Sequence, residues 1–314
     1  VLEELSKSHE LPKLILKYRE YEKLRSTYIE GLKNEVVKNR VHTSYNLFGT
    51  TTGRLSSEKP NLQNIPNKTD MGQRIREFFI ADSKHVFVIA DYSQIELRVL
   101  AHLSNDKSMI DMLQNRESDI HSETASKIFQ TNIESVTKDM RRKAKEVNFG
   151  LIYGMESFGL SKSLNISKKE AEELIEAYFS QFPKIKGFLD KIVDDATTNT
   201  FTETLYGRKR YIKELASSNF QLKAMGKRIA MNAPIQGTAS DIMKIAMIKL
   251  NKEIQKIKST DLLLQIHDEI IIQTPKESAN KVSKIVKKEM EGASKLKVPL
   301  FVDIKENINL SNLN

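Results

Sequence analysis

The chain has 314 residues, enough to bury a sizeable hydrophobic core, which we expect to be divided between two or more lobes. Lysine and arginine number 50 against 41 acidic residues, and the net charge of +9 favours a polyanionic partner. The absence of cysteine excludes disulfide bonds and thiol chemistry. No apolar run approaches the roughly 18 residues of a membrane span and no signal-peptide pattern is present. We therefore expect an intracellular protein without a membrane partner.

Residues 1 to about 34 carry apolar side chains at helical spacing and predict helix, with Pro12 near a helix start. The chain opens inside this pattern at Val1, so we expect it to be a fragment of a longer protein. Residues 49–57 form a turn-rich polar segment around Arg54, whose glycine spacing does not match a phosphate-binding P-loop. A surface loop is the ordinary interpretation of such a segment.

An apolar run of strand type, residues 86–90, is followed directly by Asp91, and helical spacing begins soon afterwards. A carboxylate at a strand-to-helix junction has a fixed backbone beneath it and solvent in front. That placement suits Mg²⁺, a cation that prefers carboxylate oxygens and keeps positions open for substrate. The alternative is that Asp91 only caps the helix.

From residue 101 to about residue 222 the pattern is mostly helical, with loops at residues 105–106 and at Asn165. Four side chains in this region recur every four residues and predict one stripe on a helix: Arg141, Lys145, Phe149 and Tyr153. Cations at one end and aromatic rings at the other suit a triphosphate followed by a base. A solvated basic turn that leads into a core helix would give the same pattern.

The last third of the chain contains a second polar stripe and a second acidic motif. Arg228, Asn232 and Gln236 would share one helix face, although Pro234 would kink or interrupt the helix, and a polar outer face is the alternative. Two apolar runs then flank residues 267–269, which predicts a hairpin with acidic residues at its tip. An ordinary polar turn is the alternative. Two aspartates that converge from distant strands would form a two-metal site for phosphoryl transfer.

Three segments together resemble the family A DNA polymerases, of the bacterial DNA polymerase I type. Residues 91–98, DYSQIELR, resemble the first metal motif of the family. Residues 141–154 resemble its nucleotide-binding helix, and residues 265–269, QIHDE, resemble its second metal motif. The motifs stand in the expected order, and the similarity extends over nearly the whole chain. It departs at residues 302–308, which predict a strand but lack the glycine and tryptophan of the usual family ending.

The resemblance implies an α+β fold of right-hand type: an antiparallel palm sheet, helical fingers inserted between the metal motifs, and a partial thumb. The implied boundaries are 1–35 for the partial thumb base and 36–97 for the first part of the palm, with the first metal motif. They are 98–224 for the fingers, with the nucleotide-binding helix, and 225–314 for the second part of the palm, with the second metal motif. The upstream part of a longer protein would carry the rest of the thumb and an exonuclease-like domain.

The implied activity is template-directed addition of deoxynucleotides to a primer 3′-hydroxyl by two-metal phosphoryl transfer, with release of pyrophosphate, in DNA replication or repair. The implied cofactors are two Mg²⁺ ions, for which Mn²⁺ can substitute. The implied partners are primer-template DNA and deoxynucleoside triphosphates, and we expect a monomer. The expected location is the cytoplasm, at the bacterial nucleoid, with an organelle left open.

The resemblance also implies roles for individual residues. The metal ligands would be Asp91, Asp268 and Tyr92, with Glu269 as an auxiliary catalytic carboxylate. The nucleotide-binding residues would be Arg141, Lys145, Phe149, Tyr153, His121, Glu96 and Gln94. The DNA-binding residues would be Arg54, Arg228, Asn232, Gln236 and His267.

For three of these roles we state a physical basis, a plainer alternative, or both. Glu96 would block the sugar 2′ position and so exclude ribonucleotides, although a surface salt bridge would also explain it. Arg54 would touch the minor-groove edge at the primer terminus, where the acceptors are similar for all correct pairs. His121 would lie beside the triphosphate, or would simply be a hydrogen-bonded polar residue.

Two other functions would use parts of the same pattern. A two-metal nuclease could employ Asp91 and Asp268, but it would not explain the stripe of cations and aromatic rings. A catalytically silent DNA-binding module would require the loss of a metal ligand, whereas both aspartates are present.

Overall fold

We describe the protein from a computed structural model, which covers residues 2–67 and 69–311. Its helices are α1 Leu2–Leu5, α2 Glu10–Lys23, a π-helix Leu24–Glu30, α3 Gly31–Asn34, α4 Asp70–Arg76, α5 Ile95–Ser104, α6 Lys107–Met112, α7 Ile120–Ile128, α8 Lys138–Ile152, α9 Ser157–Leu164, α10 Lys168–Gln181, α11 Pro183–Asn199, α12 Phe220–Ile254 and α13 Ala279–Glu291, with short 3₁₀ turns at Leu62–Asn64, Ile133–Ser135, Lys213–Ala216 and Lys276–Ser278. Its strands are β1 Val36–Val37, β2 Arg40–Val41, β3 Ser44–Asn46, β4 Ser56–Glu58, β5 His85–Tyr92, β6 Phe201–Glu203, β7 Lys209–Tyr211, β8 Asp261–Ile266, β9 Glu269–Pro275 and β10 Val302–Asn307.

The central element is a four-stranded antiparallel sheet with the order β10-β5-β9-β8. Strand β5 lies inside this sheet and is buried on both faces, which explains why its sequence is a continuous apolar run without alternation. The predicted strand at the end of the chain, β10, pairs with β5 along its full length. The antiparallel sheet of the predicted α+β fold is therefore present.

Each face of the sheet packs against its own hydrophobic core. Val88 and Ala90 point toward a large core built with α5, α12 and α13. Phe87 and Ile89, which alternate with them, point toward a smaller core on the opposite face that includes residues of the π-helix and α4. Because side chains alternate along a strand, Asp91 lies on the same face as Phe87 and Ile89.

A block of helices, α6 to α11, lies in the sequence between β5 and the β8–β9 hairpin, as predicted. The predicted helix at the start of the chain is also present, but it is broken at residues 6–9 and contains the π-helical turn. Among residues 2–67 and 69–311, no helix combines the length and the apolar character needed to cross a bilayer.

Two features differ from the predicted pattern. The stretch expected to be mostly helical up to residue 222 contains the β6–β7 hairpin, whose three-residue strands are too short to show a period-two pattern. Helix α12 runs without a break from Phe220 to Ile254, so Pro234 does not interrupt it. Ala233 and Ile235, on either side of that proline, are both buried. Their packing against the rest of the protein stabilises the helical conformation around Pro234.

Candidate active site

The two predicted metal-binding aspartates converge at one end of the central sheet. Asp91 lies opposite Glu269 in the β5–β9 pairing, and the Tyr92 N–H donates to the Asp268 carbonyl oxygen at 3.0 Å. Asp268 lies in the two-residue turn of the β8–β9 hairpin, where His267 has a φ of 54°. The hairpin with an acidic tip is therefore present, and strand pairing fixes Asp91 and Asp268 as neighbours.

The electrostatics of this cluster favour added positive charge. Partial exclusion of water and repulsion by Glu269, Asp268 and Asp303 raise the pKa of Asp91 to about 7. Burial also raises the pKa of Asp268, which nearby Arg54 partly offsets. A divalent cation between Asp91 and Asp268 would remove the repulsion that disfavours their ionised forms.

Two arginines that the sequence did not indicate balance the negative charge of the two carboxylates beside the aspartate pair, Glu269 and Asp303. The buried Arg76 guanidinium lies 3.2 Å from a Glu269 oxygen and donates to the Leu310 carbonyl at 2.6 Å. Asp303, opposite Asp91 in the β10–β5 pairing, lies 3.0 Å from Arg116. Neither arginine belongs to a spaced pattern, so nothing in the sequence connects it to the site.

The structure corrects one interpretation of the first metal motif and restricts another. The residue at the N-cap of α5 is Gln94, three residues beyond Asp91, so the interpretation of Asp91 as the helix cap is wrong. The Tyr92 side chain is buried and its hydroxyl donates to the Met290 carbonyl at 2.7 Å. A contribution of Tyr92 to metal binding would therefore have to come from its main-chain carbonyl.

Glu96 lies at the centre of a cluster of predicted site residues. It is 5% exposed, and it accepts hydrogen bonds from Arg54 at 2.6 Å and from the Tyr153 hydroxyl at 2.8 Å. The Gln236 side chain lies close enough to contribute to lowering the pKa of Glu96. Burial raises the pKa of Glu96, while Arg54 and the bond from Tyr153 lower it. The structure thus unites residues from four separate segments, and the surface salt bridge considered for Glu96 is wrong because the carboxylate is buried.

The predicted stripe on α8 is exposed at its cationic end. Arg141 forms two hydrogen bonds to Asp119, at 2.6 and 3.2 Å, and these hold the pKa of Asp119 at about 2 although burial alone would raise it. Lys145 is exposed and has no ion-pair partner among the described residues. Lys145 is therefore the cation of the stripe that is most available to an anionic ligand.

The aromatic end of the stripe packs against His121. The ring centroids of His121 and Phe149 are 5.6 Å apart, and Asn148 lies within 3.2 Å of the His121 Nδ1 atom. His121 is buried, and burial is the main cause that lowers its pKa to about 4, so the ring is neutral near pH 7. The plainer interpretation of His121, as a hydrogen-bonded polar residue, fits this environment.

The predicted polar face of α12 borders the C-terminal end of α8. Arg228 is exposed, whereas Asn232 is partly buried and its amide nitrogen has no hydrogen-bond partner within the described part of the chain. Gly154, with a φ of +67°, lies so close that a Cβ atom there would be 2.9 Å from the Arg228 Cγ atom. A glycine at this position therefore lets the stripe and the α12 face adjoin.

A cavity of about 520 Å³ opens beside the carboxylates. It is lined by the segment around Gln63 and Pro66, by Arg76, and by the acidic tip that includes Asp91 and Asp268. No group of three or more histidine, cysteine or acidic side chains is arranged for metal binding in residues 2–67 and 69–311. Two carboxylates are the available donor set, and Mg²⁺ in phosphate chemistry commonly takes one or two carboxylates plus substrate oxygens.

This arrangement has the parts that phosphoryl transfer requires: a pair of carboxylates for divalent cations, a free cation for a triphosphate, and polar faces for a polyanion. The stripe, the Glu96 cluster and the α12 face border one another, so one nucleotide-sized ligand could contact all three.

Comparison with known proteins agrees with this chemistry. The family model described as DNA polymerase family A matches residues 1–311. DNA polymerase I of Caldicellulosiruptor bescii is 50% identical over 98% of this chain. DNA polymerase I of Geobacillus stearothermophilus is 47% identical over 96%, and the thermostable DNA polymerase I of Thermus aquaticus is 46% identical over 97%. The chain spans 37%, 35% and 36% of these relatives, a little over a third of their length.

Among solved structures, the POL domain of Pol1 from M. smegmatis, in complex with DNA primer-template and dNTP, superposes with a TM-score of 0.93. It is 39% identical, and the match covers 98% of this chain and 55% of that one. Because the family model covers nearly all of the sequence, the chain belongs to DNA polymerase family A.

Proposed function

We propose that this chain is the polymerase region of a bacterial DNA polymerase I. It would add deoxynucleotides to a primer 3′-hydroxyl under the direction of a template and release pyrophosphate. The observation that carries the proposal is the convergence of Asp91 and Asp268 next to the Glu96 cluster and the α8 stripe.

Two Mg²⁺ ions would be held by Asp91 and Asp268, and Mn²⁺ could replace them. The raised pKa of Asp91 supports this assignment, because burial and then repulsion by neighbouring carboxylates disfavour its ionised form, and a cation would offset both. When bound, the ions would favour ionisation of the primer hydroxyl and neutralise the phosphate charge. One oxygen of Glu269 forms an ion pair with Arg76, so Glu269 would contribute negative charge near the ions and would not be a principal metal ligand.

The nucleotide would lie along α8, with Lys145 and Arg141 at its triphosphate and Phe149 near its sugar. Arg141 would exchange its contacts with Asp119 for contacts with phosphate, whereas Lys145 is already free to bind. Glu96, held by Arg54 and Tyr153, would close the space at the sugar 2′ position. A ribose hydroxyl there would lie against a buried carboxylate, which disfavours ribonucleotides.

Primer-template DNA would contact Arg54 and His267 near the primer terminus and the polar face of α12, with Arg228, Asn232 and Gln236. The unpaired amide nitrogen of Asn232 supports this, since a buried donor is costly unless a ligand satisfies it. The central sheet would be the palm, the helices between β5 and β8 the fingers, and residues 1–35 the thumb base. We also propose a monomer that acts on the bacterial chromosome.

Primer extension on a template of defined sequence, with Mg²⁺ and the four deoxynucleoside triphosphates, tests this function. The proposal predicts elongation in the order the template dictates, and none when Mg²⁺ is chelated. Shortening of the primer without elongation would instead identify a nuclease that uses the same aspartates.

A further inference from the structure

The β6–β7 hairpin, which the sequence did not predict, places one arginine against three oxygen atoms. Arg208, in the turn of this hairpin, donates to the Thr52 carbonyl at 2.7 Å, the Gly237 carbonyl at 2.9 Å and the Asp241 carboxylate at 2.5 Å. Gly237 and Asp241 belong to α12. A single guanidinium therefore joins the hairpin, the long helix and the loop that leads to Arg54.

The geometry of the contacts requires arginine. Its planar guanidinium has five N–H donors in a fixed arrangement and stays charged, whereas a lysine ammonium is a point charge on a flexible stem. Asp241, which is mostly buried, accepts a second bond from the Thr204 hydroxyl at 2.8 Å. The carboxylate thus holds the guanidinium in one orientation while the guanidinium holds the two carbonyls.

The loop beside Arg208 is fitted to it closely. Gly53 has a φ of +78°, and a Cβ atom there would lie 1.2 Å from the Arg208 Nη1 atom, so the guanidinium lies directly on this glycine. The Ser240 hydroxyl donates to the Gly53 carbonyl at 2.7 Å, and Thr50 donates to the Arg54 carbonyl at 2.8 Å. Three consecutive carbonyls, of residues 52 to 54, are therefore held by side chains.

We propose that Arg208 is a positioning residue that acts through Arg54 and sets the discrimination between paired and mispaired primer termini. This rests on the proposed function, in which Arg54 contacts the minor-groove edge at the primer terminus. A turn with a glycine is mobile unless its carbonyls are bonded, and a polar contact loses its selectivity when its donor shifts by much more than about 0.5 Å. Arg208 supplies the rigidity that Arg54 needs to distinguish one base-pair geometry from another.

Single-nucleotide extension of matched and mismatched primer termini tests this assignment. Arg208→Met should lower the ratio of matched to mismatched extension about tenfold, the effect of weakening one charge-assisted hydrogen bond. Arg54→Ala should lower the ratio at least as much. In the Arg54→Ala background, Arg208→Met should lower it no further, because both changes remove the same contact.

A primer that ends in 3-deazaguanine, which lacks the minor-groove acceptor, gives a second readout. The wild-type chain should lose efficiency on this primer relative to one that ends in guanine, and Arg208→Met should show little difference between the two. Gly53→Ala should reproduce Arg208→Met because its methyl group would displace the guanidinium. Ser240→Ala, which removes one hydroxyl, should have a smaller effect in the same direction and serves if Arg208→Met does not fold.

Arg40→Met is the matched control, since Arg40 forms a surface ion pair with Asp82. Both residues line a different cavity from the one beside the carboxylates, next to Phe87 of the smaller core. It should keep the wild-type ratio. A wild-type ratio in Arg208→Met or in Ser240→Ala would overturn the proposal, and so would multiplication of the Arg208 and Arg54 effects in the double variant. A wild-type chain that extends no primer would instead overturn the proposed function itself.

Discussion

Replacing Tyr153 with phenylalanine removes one hydroxyl at the centre of the site. This hydroxyl donates to Glu96 at 2.8 Å, and Glu96 is buried, so the carboxylate would lose one of its hydrogen-bond donors. A hydrogen bond to a charged group contributes about 1.5–3 kcal/mol. Tyr153 is 42% exposed, so water can partly replace the lost hydroxyl as a donor to Glu96. We therefore expect the substitution to cost about 1–2 kcal/mol, which corresponds to a change of about 5- to 30-fold in sugar selectivity.

The predicted result is a loss of sugar selectivity by up to that factor, measured as single-nucleotide incorporation of ribonucleotides against deoxynucleotides. The bond from Tyr153 lowers the pKa of Glu96, so its removal raises that pKa further. When the pH is lowered, Glu96 should therefore become protonated earlier, at a higher pH, in the variant than in the wild-type chain. Sugar selectivity that depends on the charge of Glu96 should be lost at that higher pH.

Tyr206→Phe is a matched control, because Tyr206 is 44% exposed and its hydroxyl donates to Ser294 at 2.7 Å, in the loop between α13 and β10. It should change neither the selectivity nor its pH dependence. If Tyr153→Phe also left both unchanged, the proposed role of the Glu96 cluster in sugar selection would be refuted.

Three further substitutions test separate parts of the site. Glu96→Ala should raise ribonucleotide incorporation relative to deoxynucleotides, and unchanged discrimination in single-nucleotide kinetics would remove Glu96 from the sugar contact. Lys145→Ala should weaken triphosphate use by about 30-fold, or ~2 kcal/mol, and leave DNA affinity intact. Lys143 lies on the same helix but is paired with Glu170 at 2.8 Å, so Lys143→Ala should not weaken triphosphate use. Phe149→Tyr should relax discrimination against dideoxynucleotides because it supplies a hydroxyl near the sugar, whereas a lower melting temperature with unchanged selectivity would place Phe149 in the core.

The sequence predicted the parts of the fold that depend on local pattern. The apolar run before Asp91, the hairpin around Asp268 and the spacing of the α8 stripe each follow from a periodicity that strands or helices impose. The β6–β7 hairpin could not be predicted in this way, because its strands have only three residues and are stabilised by contacts of Arg208 and Thr204 with α12. The burial of Glu96 and the pairings of Arg76 and Arg116 depend on residues up to 193 positions apart, which no local pattern records.

The most direct test of the two-carboxylate site is single-turnover nucleotide addition by Asp91→Asn and Asp268→Asn, with Asp303→Asn as the control. Asp303 lies on the same face opposite Asp91 but is paired with Arg116. Loss of either central carboxylate should lower the rate by at least about 100-fold, while primer-template affinity and melting temperature change little. Asp303→Asn should retain most of the activity. Near-normal addition by Asp91→Asn or by Asp268→Asn, in protein that folds and binds DNA, would contradict the account.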